Sequence, residues 1–254
     1  MTSAMATEQV ADGVYRSSDG IVNWYLLEEE GELTIVDTGW PRSWPDVGRA
    51  VQSIGRRLED VRAVVLTHGH ADHMGSAEAA RSNLSVPVRA HHLEIPRLKG
   101  QKRGGSSWAL VPRLLPQLWR PSAFAFVLHA ARHGFLTPRW LTEVVGFEPD
   151  GVLEVPGKPR AIFTPGHTEG HTSYHVPAAG VLFAGDELVT LDPVTRATGP
   201  RLIHPAVNDD HDQARASLDQ FAGVDAGILL PGHGEPWRGA LSQAVALARE
   251  ADTG

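Results

Sequence analysis

The segment that decides the fold is Thr67-His68-Gly69-His70-Ala71-Asp72-His73. It follows an apolar run, Val61 to Leu66, whose length and β-branched residues predict a buried strand. The side chains of alternate residues at the end of a strand point to the same side, so His68 and His70 can coordinate the same metal ion. Asp72 and His73 lie on the turn into the next helix and point elsewhere. This short segment therefore predicts ligands for two adjacent ions, with a spacing unlike the His-Glu-x-x-His pattern of helical metal sites.

At three further places a histidine or aspartate follows the end of a predicted apolar strand, each time with a glycine beside it. They are Thr164-Pro165-Gly166-His167, Phe183-Ala184-Gly185-Asp186 and Pro231-Gly232-His233-Gly234. Glycine permits tight turns and a close approach of the backbone to an ion. A single histidine in such a place would more often be structural. Four such strand ends together predict one metal centre.

Composition narrows the class of protein. The chain has 254 residues, of which 42% are hydrophobic, which suits one large domain or two closely packed halves. A formal net charge of -7 argues against a general affinity for nucleic acid. With no cysteine, any metal must be held by nitrogen and oxygen atoms. There is no apolar run of about 18 residues and no stretch of signal-peptide type near the start, so we expect no spanning helix and a cytoplasmic enzyme.

The hydrophobic pattern predicts two β-sheets packed together with helices outside, an α+β architecture. Strands are predicted at Val10–Arg16, Ile21–Leu27, Leu33–Val36, Val61–Leu66, Val86–Ala90, Val152–Val155, Ala161–Phe163, Thr172–Val176, Val181–Ala184 and Gly227–Leu230. Helices are predicted at about Trp44–Ile54, from Gly75, at His92–Leu98, at Asp210–Phe221 and at Gly239–Ala251.

One stretch differs from the rest, and we interpret residues 97–145 as a helical insertion between two halves of a single domain spanning 1–254. Residues 97–140 contain eight basic side chains and no acidic one: Arg97, Lys99, Lys102, Arg103, Arg113, Arg120, Arg132 and Arg139. The stretch also carries six aromatic residues: Trp108, Trp119, Phe124, Phe126, Phe135 and Trp140. Three interpretations stay open: a lid with aromatic side chains for an apolar substrate part and arginines for an anionic part, a helical pair packed on the sandwich or on a second subunit, or attachment to anionic lipid.

The set of motifs resembles the metallo-β-lactamase superfamily, over nearly the whole chain and in the family's order. The resemblance implies an αββα sandwich. It also implies that His68, His70 and His167 hold one metal, that Asp72, His73 and His233 hold the other, and that Asp186 bridges them. Asp37, in Val36-Asp37-Thr38-Gly39, resembles the family's first and structural motif. His171 is slightly favoured as a residue that orients a ligand.

The resemblance further implies a binuclear hydrolase in which a metal-bound hydroxide attacks a carbonyl, with Asp72 also orienting the water. We expect two divalent ions, zinc in the first place and iron or manganese as alternatives. Asp186 stands where true β-lactamases carry cysteine or serine, and no tyrosine follows it closely as in quorum-quenching lactonases. The chain ends about twenty residues after His233, without the helical domain of glyoxalase II enzymes. The leading hypothesis is hydrolysis of an ester, thioester or lactone of a small molecule by a monomer or homodimer. A phosphodiesterase and a non-hydrolytic metal-binding or redox protein are the alternatives.

Overall fold

The computed structural model describes residues 7–101, 110–148 and 151–253, and its framework is two β-sheets. The first has seven strands in chain order: β1 (Glu8–Ala11), β2 (Val14–Ser18), β3 (Asn23–Glu29), β4 (Glu32–Val36), β5 (Val61–Val65), β6 (Val88–His91) and β7 (Val145–Phe147). Pairing is antiparallel from β1 to β4 and parallel from β4 to β7.

The second sheet contains the strands of the C-terminal half. The chain forms β8 (Arg160–Phe163), β9 (Thr172–Val176), β10 (Val181–Gly185), β11 (Val189–Leu191), β12 (Thr198–Arg201), β13 (Ile228–Pro231) and β14 (Trp237–Arg238). Five of them form the sheet, in the order β14-β13-β10-β9-β8, with β10 and β13 parallel. Strands β11 and β12 form a separate antiparallel ribbon.

Seven α-helices complete the described structure: α1 (Trp44–Ser53), α2 (Ala77–Leu84), α3 (Ile95–Leu98), α4 (Leu110–Leu114), α5 (Pro121–Arg132), α6 (His211–Ser217) and α7 (Leu241–Thr253). Helices α1 and α2 pack on the outer face of the first sheet, while α6 and α7 pack on the outer face of the second. A third apolar layer fills the space between the sheets, with Tyr25 and Val65 on one side and Tyr174, Phe183 and Leu230 on the other. The order of layers is therefore αββα, as expected.

Strand β5 is apolar except for the exposed Arg62 near its start, because both faces of its remaining residues are covered. Val64 faces the layer beneath α1 and α2, and Val65 faces the layer between the sheets. A strand buried on both faces is a continuous apolar run instead of an alternating one. Parallel pairing on either side then places the end of β5 in the middle of one sheet edge, where the His68–His73 segment begins.

The stretch 97–145 leaves the first sheet and returns to it. Its last residue starts β7, which pairs in parallel with β6, and Leu98 and Leu141 lie in the core beneath the first sheet. Helices α4 and α5 instead cover the β11–β12 region, where Leu114 and Ala123 pack in a cluster with Val189, Val194, Ile203 and Val207. The predicted features at Lys102, Arg103 and Trp108 lie outside the described residues.

Two strand predictions were wrong. Val10–Arg16 is a hairpin of two strands, because Asp12-Gly13 forms a turn in which Gly13 adopts a φ of +63°. Val152–Val155 forms no strand beyond a single bridge from Val152 to Arg160. Strand β7, strand β14 and the β11–β12 ribbon were not predicted, because their two to four residues give too little pattern. Within the described ranges, no helix combines the length and the apolar character needed to cross a bilayer.

Candidate metal centre

All seven residues that the sequence singled out lie together, buried at one edge of the two sheets. His68, His70, Asp72 and His73 follow β5, and His167 lies in the turn between β8 and β9. Asp186 follows β10 directly, and His233 comes two residues after β13. The strand ends of both halves therefore meet at one place.

Three ring nitrogens converge on a common point. Nδ1 of His70 lies 3.1 Å from Nε2 of His68 and 2.9 Å from Nε2 of His167, and these two Nε2 atoms are 3.1 Å apart. The Nδ1–H of His167 donates to Oδ1 of Asn208 (2.7 Å), so Nε2 of the neutral ring carries a lone pair. Lone pairs that face each other so closely repel unless a cation or a proton lies between them. This triad fits a divalent ion with nitrogen ligands.

A second group of ligand atoms lies beside the first and contains carboxylates. Nε2 of His233 is 3.5 Å from Oδ2 of Asp72 and 3.2 Å from Oδ2 of Asp186, and Nε2 of His73 is 3.3 Å from Oδ1 of Asp186. Oδ2 of Asp186 is also 3.4 Å from Nε2 of His167 in the first triad. Asp186 thus contacts both groups, as a bridging carboxylate would.

The two groups differ in their electrostatics. Burial, together with the neighbouring imidazoles, lowers the pKa of His68 and of His70 well below the ordinary range, so both rings are neutral. Burial also opposes charging of His73, yet Asp186, Asp72 and Asp37 raise its pKa well above the ordinary range. Asp186 likewise raises the pKa of His233 against the effect of burial. The triad thus offers lone pairs, and the carboxylate-rich group attracts positive charge, which together suit a cluster of divalent ions.

Asp37 orients histidines of both groups through one carboxylate. Its Oδ2 accepts hydrogen bonds from the Nδ1–H of His73 (2.9 Å) and the hydroxyl of Thr67 (2.8 Å), while its Oδ1 accepts from the backbone N–H of Thr67 (2.8 Å). The Thr67 oxygen in turn lies 3.0 Å from Nδ1 of His68 and accepts its hydrogen. Asp37 adopts a φ of +59°, which is uncommon outside glycine. These contacts fix Nε2 of His68 and of His73 as the atoms that face the centre.

The rings of His233 and His171 also have fixed hydrogen-bond partners, whereas the buried Nε2 of His70 has none among the described residues. The Nδ1–H of His233 donates to the backbone carbonyl of Ile21 (2.8 Å). Nε2 of His171 accepts the backbone N–H of Asp186 (3.1 Å), so its Nδ1–H donates to the hydroxyl of Thr164 (2.9 Å). Burial, together with the neighbouring His167 imidazole, lowers the pKa of His171 to about 3, which keeps the ring neutral. The expectation that His171 orients a neighbouring residue agrees with this contact.

Glu94 links the two loops that carry the triad. Its Oε2 accepts the backbone N–H of Gly69 (2.7 Å) and its Oε1 accepts the backbone N–H of Gly170 (2.8 Å). Arg97 pairs with Glu94 and with Asp209, and the Asp209 backbone N–H donates to the carbonyl of His167 (3.0 Å). No sequence pattern singles out Glu94, because its partners are backbone groups far away in the chain.

Position 232 requires glycine because there is no space for a side chain beside the ligand atoms. A Cβ at this position would lie 2.1 Å from Oδ1 of Asp186 and 2.7 Å from Cε1 of His73. Its backbone N–H donates to the carbonyl of Gly185, and its own carbonyl accepts from the backbone N–H of Asn23. The backbone here therefore passes directly beside the ligand atoms.

The centre opens into a pocket of about 140 Å³. His70, Asp72, His167, Asp186 and His233 form its floor. Its walls are apolar and come mainly from the 97–145 stretch: Leu110, Val111, Leu114, Leu115, Leu118, Phe126, Val127, Ala130 and Phe135, with Trp40, Pro193, Ile203 and Val207. The ring of Phe126 packs edge-on against His233, with centroids 6.4 Å apart. The stretch thus lines much of the pocket with aliphatic side chains and with the rings of Phe126 and Phe135.

Three described arginines of the stretch have partners that do not line the pocket. Arg97 is buried against Glu94 and Asp209, Arg113 donates to the backbone carbonyl of Asn208 (2.7 Å), and Arg120 lies over the ring of Trp119. No lysine or arginine lines the pocket among the residues that the structure describes.

Two packed sheets, outer helices and a histidine–aspartate cluster at the strand ends define a metal-binding αββα protein. The Metallo-beta-lactamase superfamily matches residues 18–233, so the chain belongs to that superfamily. It is 30% identical over 250 residues to YflN, a probable metallo-hydrolase of Bacillus subtilis (strain 168), covering 91% of this chain and 87% of the relative. It is 29% identical to YqjP, another probable metallo-hydrolase of that organism, covering 85% of this chain and 68% of the relative.

Solved structures have the same fold at lower identity. A metallo-beta-lactamase of Cronobacter sakazakii with a HARLDQ motif superposes with a TM-score of 0.70 at 20% identity, covering 99% of this chain and 94% of that one. A metallo-beta-lactamase family protein of Thermus thermophilus, TTHA1429, gives 0.65 at 24% identity, covering 96% of this chain and 81% of that one. The superfamily and the histidine–aspartate clusters together indicate divalent metal binding.

Proposed function

We propose that this chain is a two-metal hydrolase of a neutral carbonyl compound, that is, an ester, a thioester or a lactone. The observation that carries the proposal is the position of the buried cluster, which forms the floor of an apolar pocket without lysine or arginine among its described lining residues. A phosphodiester carries a negative charge, and burying a charge away from partners is costly. A carbonyl compound carries none, so it suits these walls better.

We assign the seven ligands as the motifs imply. His68, His70 and His167 hold one ion, while Asp72, His73 and His233 hold the other. Asp186 lies between them. Zinc is favoured over iron and manganese, because imidazole and carboxylate ligands suit it and no thiolate is available.

A bound pair of divalent ions would supply a nucleophile from water near neutral pH and polarise the carbonyl of the substrate. The residues of the chain position the reactants. Oδ2 of Asp72 faces Nε2 of His233 and of His73, which leaves the other oxygen of Asp72 to accept a hydrogen bond from the attacking water. The apolar walls exclude bulk water, so the charges at the pocket floor act with little screening.

The test is a substrate panel run with matched variants. Aryl esters, thioesters, lactones and bis-p-nitrophenyl phosphate are assayed with the wild type, Asp72→Ala, His70→Ala and the control His92→Ala, whose half-exposed side chain lies outside the cluster. We expect carbonyl turnover in the wild type and the control, and none in the two cluster variants. Turnover of the phosphodiester far above that of the esters would make a phosphodiesterase the better assignment. Full activity of Asp72→Ala or His70→Ala would refute the site.

A further inference from the structure

We propose that the pocket selects substrates whose acyl part is an uncharged hydrocarbon, and that helix α5 sets this preference through Phe126. The inference rests on the proposed function, since it names the substrate class of the same site.

The walls offer a continuous apolar surface from the floor to the mouth. Phe126 and Val127 of α5 line one side, and Ile203 and Val207 line another. Leu115 lines the pocket and is 58% exposed, which places it at the mouth. The volume of about 140 Å³ is room for roughly five water molecules. An acyl chain that displaces this water buries apolar surface along its whole length.

The part of the wall that the structure describes offers no counter-charge to a charged end group. Among the described lining residues, the only ionisable side chains are the five at the floor, and these belong to the metal cluster. The nearby guanidinium groups are engaged elsewhere: Arg113 with the carbonyl of Asn208, and Arg97 with Glu94 and Asp209. A carboxylate or ammonium group on the acyl chain would lose its hydration without gaining a partner.

The wall is held in place at both ends of α5, so the pocket has a defined shape. Near the start of the helix, the hydroxyl of Ser122 donates to the carbonyl of Val194 (2.6 Å) and Ala123 is buried in the cluster with Val189. Near its end, Nε2 of His129 lies 2.7 Å from Oδ2 of Asp19. The inward ring of Phe126 is thereby fixed between Trp40 and His233.

The experiment measures kcat/KM for p-nitrophenyl esters from acetate to dodecanoate, together with esters of matched length that end in a carboxylate. We expect kcat/KM to rise roughly two- to fourfold per added methylene until the chain fills the pocket. The carboxylate-ended esters should lose most of this gain. Phe126→Ala should flatten the rise, whereas the control Phe124→Ala should keep it, because Phe124 lies on the same helix but is 57% exposed and outside the pocket.

A binding assay makes the inference independent of turnover. The neutral dye N-phenyl-1-naphthylamine should bind the wild-type protein and Phe124→Ala, be displaced by octanamide, and bind Phe126→Ala more weakly. The inference is overturned, and the proposed function stands, if esters are hydrolysed but kcat/KM does not rise with chain length. The same holds if carboxylate-ended esters have the same kcat/KM as neutral esters of matched length. If no carbonyl substrate turns over, the proposed function fails, and the dye decides the inference: displaceable binding supports an apolar ligand site, and no binding overturns it.

Discussion

At the residue scale, hydrogen bonds on the outer side of four histidine rings leave the other nitrogen of each ring free for a metal. Asp37, Asn208 and the Ile21 carbonyl take the hydrogens of His73, His167 and His233 on the side away from the cluster. Each ring is thereby fixed in orientation and in tautomer. The clustering of the seven side chains could be predicted from the sequence, since each of the four segments that carry them follows a strand end and contains a glycine. The hydrogen-bond partners of the histidines, other than Asp37, could not be predicted from the sequence, because a backbone carbonyl and a loop asparagine give no local sequence pattern.

Gly232→Ala should disrupt the centre without any change to a ligand. The added methyl group would overlap Oδ1 of Asp186, so the carboxylate must move away from both ligand groups. We expect zinc affinity to fall at least about tenfold, measured by competition with a chelating dye. The control is Gly227→Ala, where a Cβ would meet nothing within 4 Å. Equal zinc affinity in the two variants would contradict the assigned role of Asp186.

At the element scale, loops from distant parts of the chain are linked by buried side chains. Glu94, just before α3, connects the loop after β5 to the loop before β9. Asp19, in the loop between β2 and β3, makes a second link. Its Oδ2 contacts His129 of α5, and its Oδ1 accepts the backbone N–H groups of Ile21 and Val22. Helix α5 is thereby connected to the segment whose Ile21 carbonyl accepts a hydrogen bond from His233. The sequence pattern predicted helices near these places but not the links, which form only once the sheets have assembled.

Glu94→Gln should weaken metal binding from outside the ligand set. The amide group that replaces one carboxylate oxygen would face the backbone N–H of Gly69 or of Gly170, so one loop loses its acceptor. We expect zinc affinity to fall roughly 10- to 100-fold, measured by isothermal titration calorimetry. Glu143→Gln serves as the control, because that side chain is largely exposed. Unchanged affinity in Glu94→Gln would show that the loops keep their positions without this link.

Asp19→Asn should lower stability in a pH-dependent way. Burial opposes ionisation of Asp19, but the hydrogen bonds from His129, Val22 and Ile21 outweigh it and lower its pKa below 3.8. A carboxylate with a lowered pKa stabilises the folded state above its ordinary pKa, and this contribution is lost as the pH falls through the lowered value. We expect urea unfolding to give a deficit of about 1–3 kcal/mol for the variant at pH 7. The deficit should narrow as the pH falls below the ordinary carboxyl pKa of 3.8 and through the lowered value, and a pH-independent difference would contradict the linkage.

At the scale of the whole molecule, both halves of the sandwich contribute residues to one candidate metal centre. The proposed ligands follow β5 in the first sheet, and they lie in the β8–β9 turn and after β10 and β13 in the second. The layer order followed from the sequence pattern, because β10 is apolar throughout and β5 is apolar except for Arg62. The path of the 97–145 stretch could not be predicted from the sequence. The stretch rejoins the first sheet through β7, whose three residues are too few to show a strand pattern.

Zinc should therefore stabilise the whole fold. A ligand present at about 100 times its dissociation constant adds roughly 2.7 kcal/mol, which corresponds to a rise in Tm of about 5–10 °C for a chain of this size. Differential scanning calorimetry of the protein stripped with a chelator, with and without added zinc, measures the shift. The His70→Ala variant should show a smaller rise. An identical Tm with and without zinc would show that metal does not link the halves.

The most direct test of the central claim is a zinc titration of the chelator-stripped protein in which bound metal per chain and ester turnover are followed in the same samples. Binding to both ligand groups predicts saturation at two ions per chain, with full turnover reached only as the second ion binds. Asp186→Asn should lower that stoichiometry and abolish turnover. Saturation at less than one ion per chain, or full ester turnover in the stripped protein, would contradict the two-metal account.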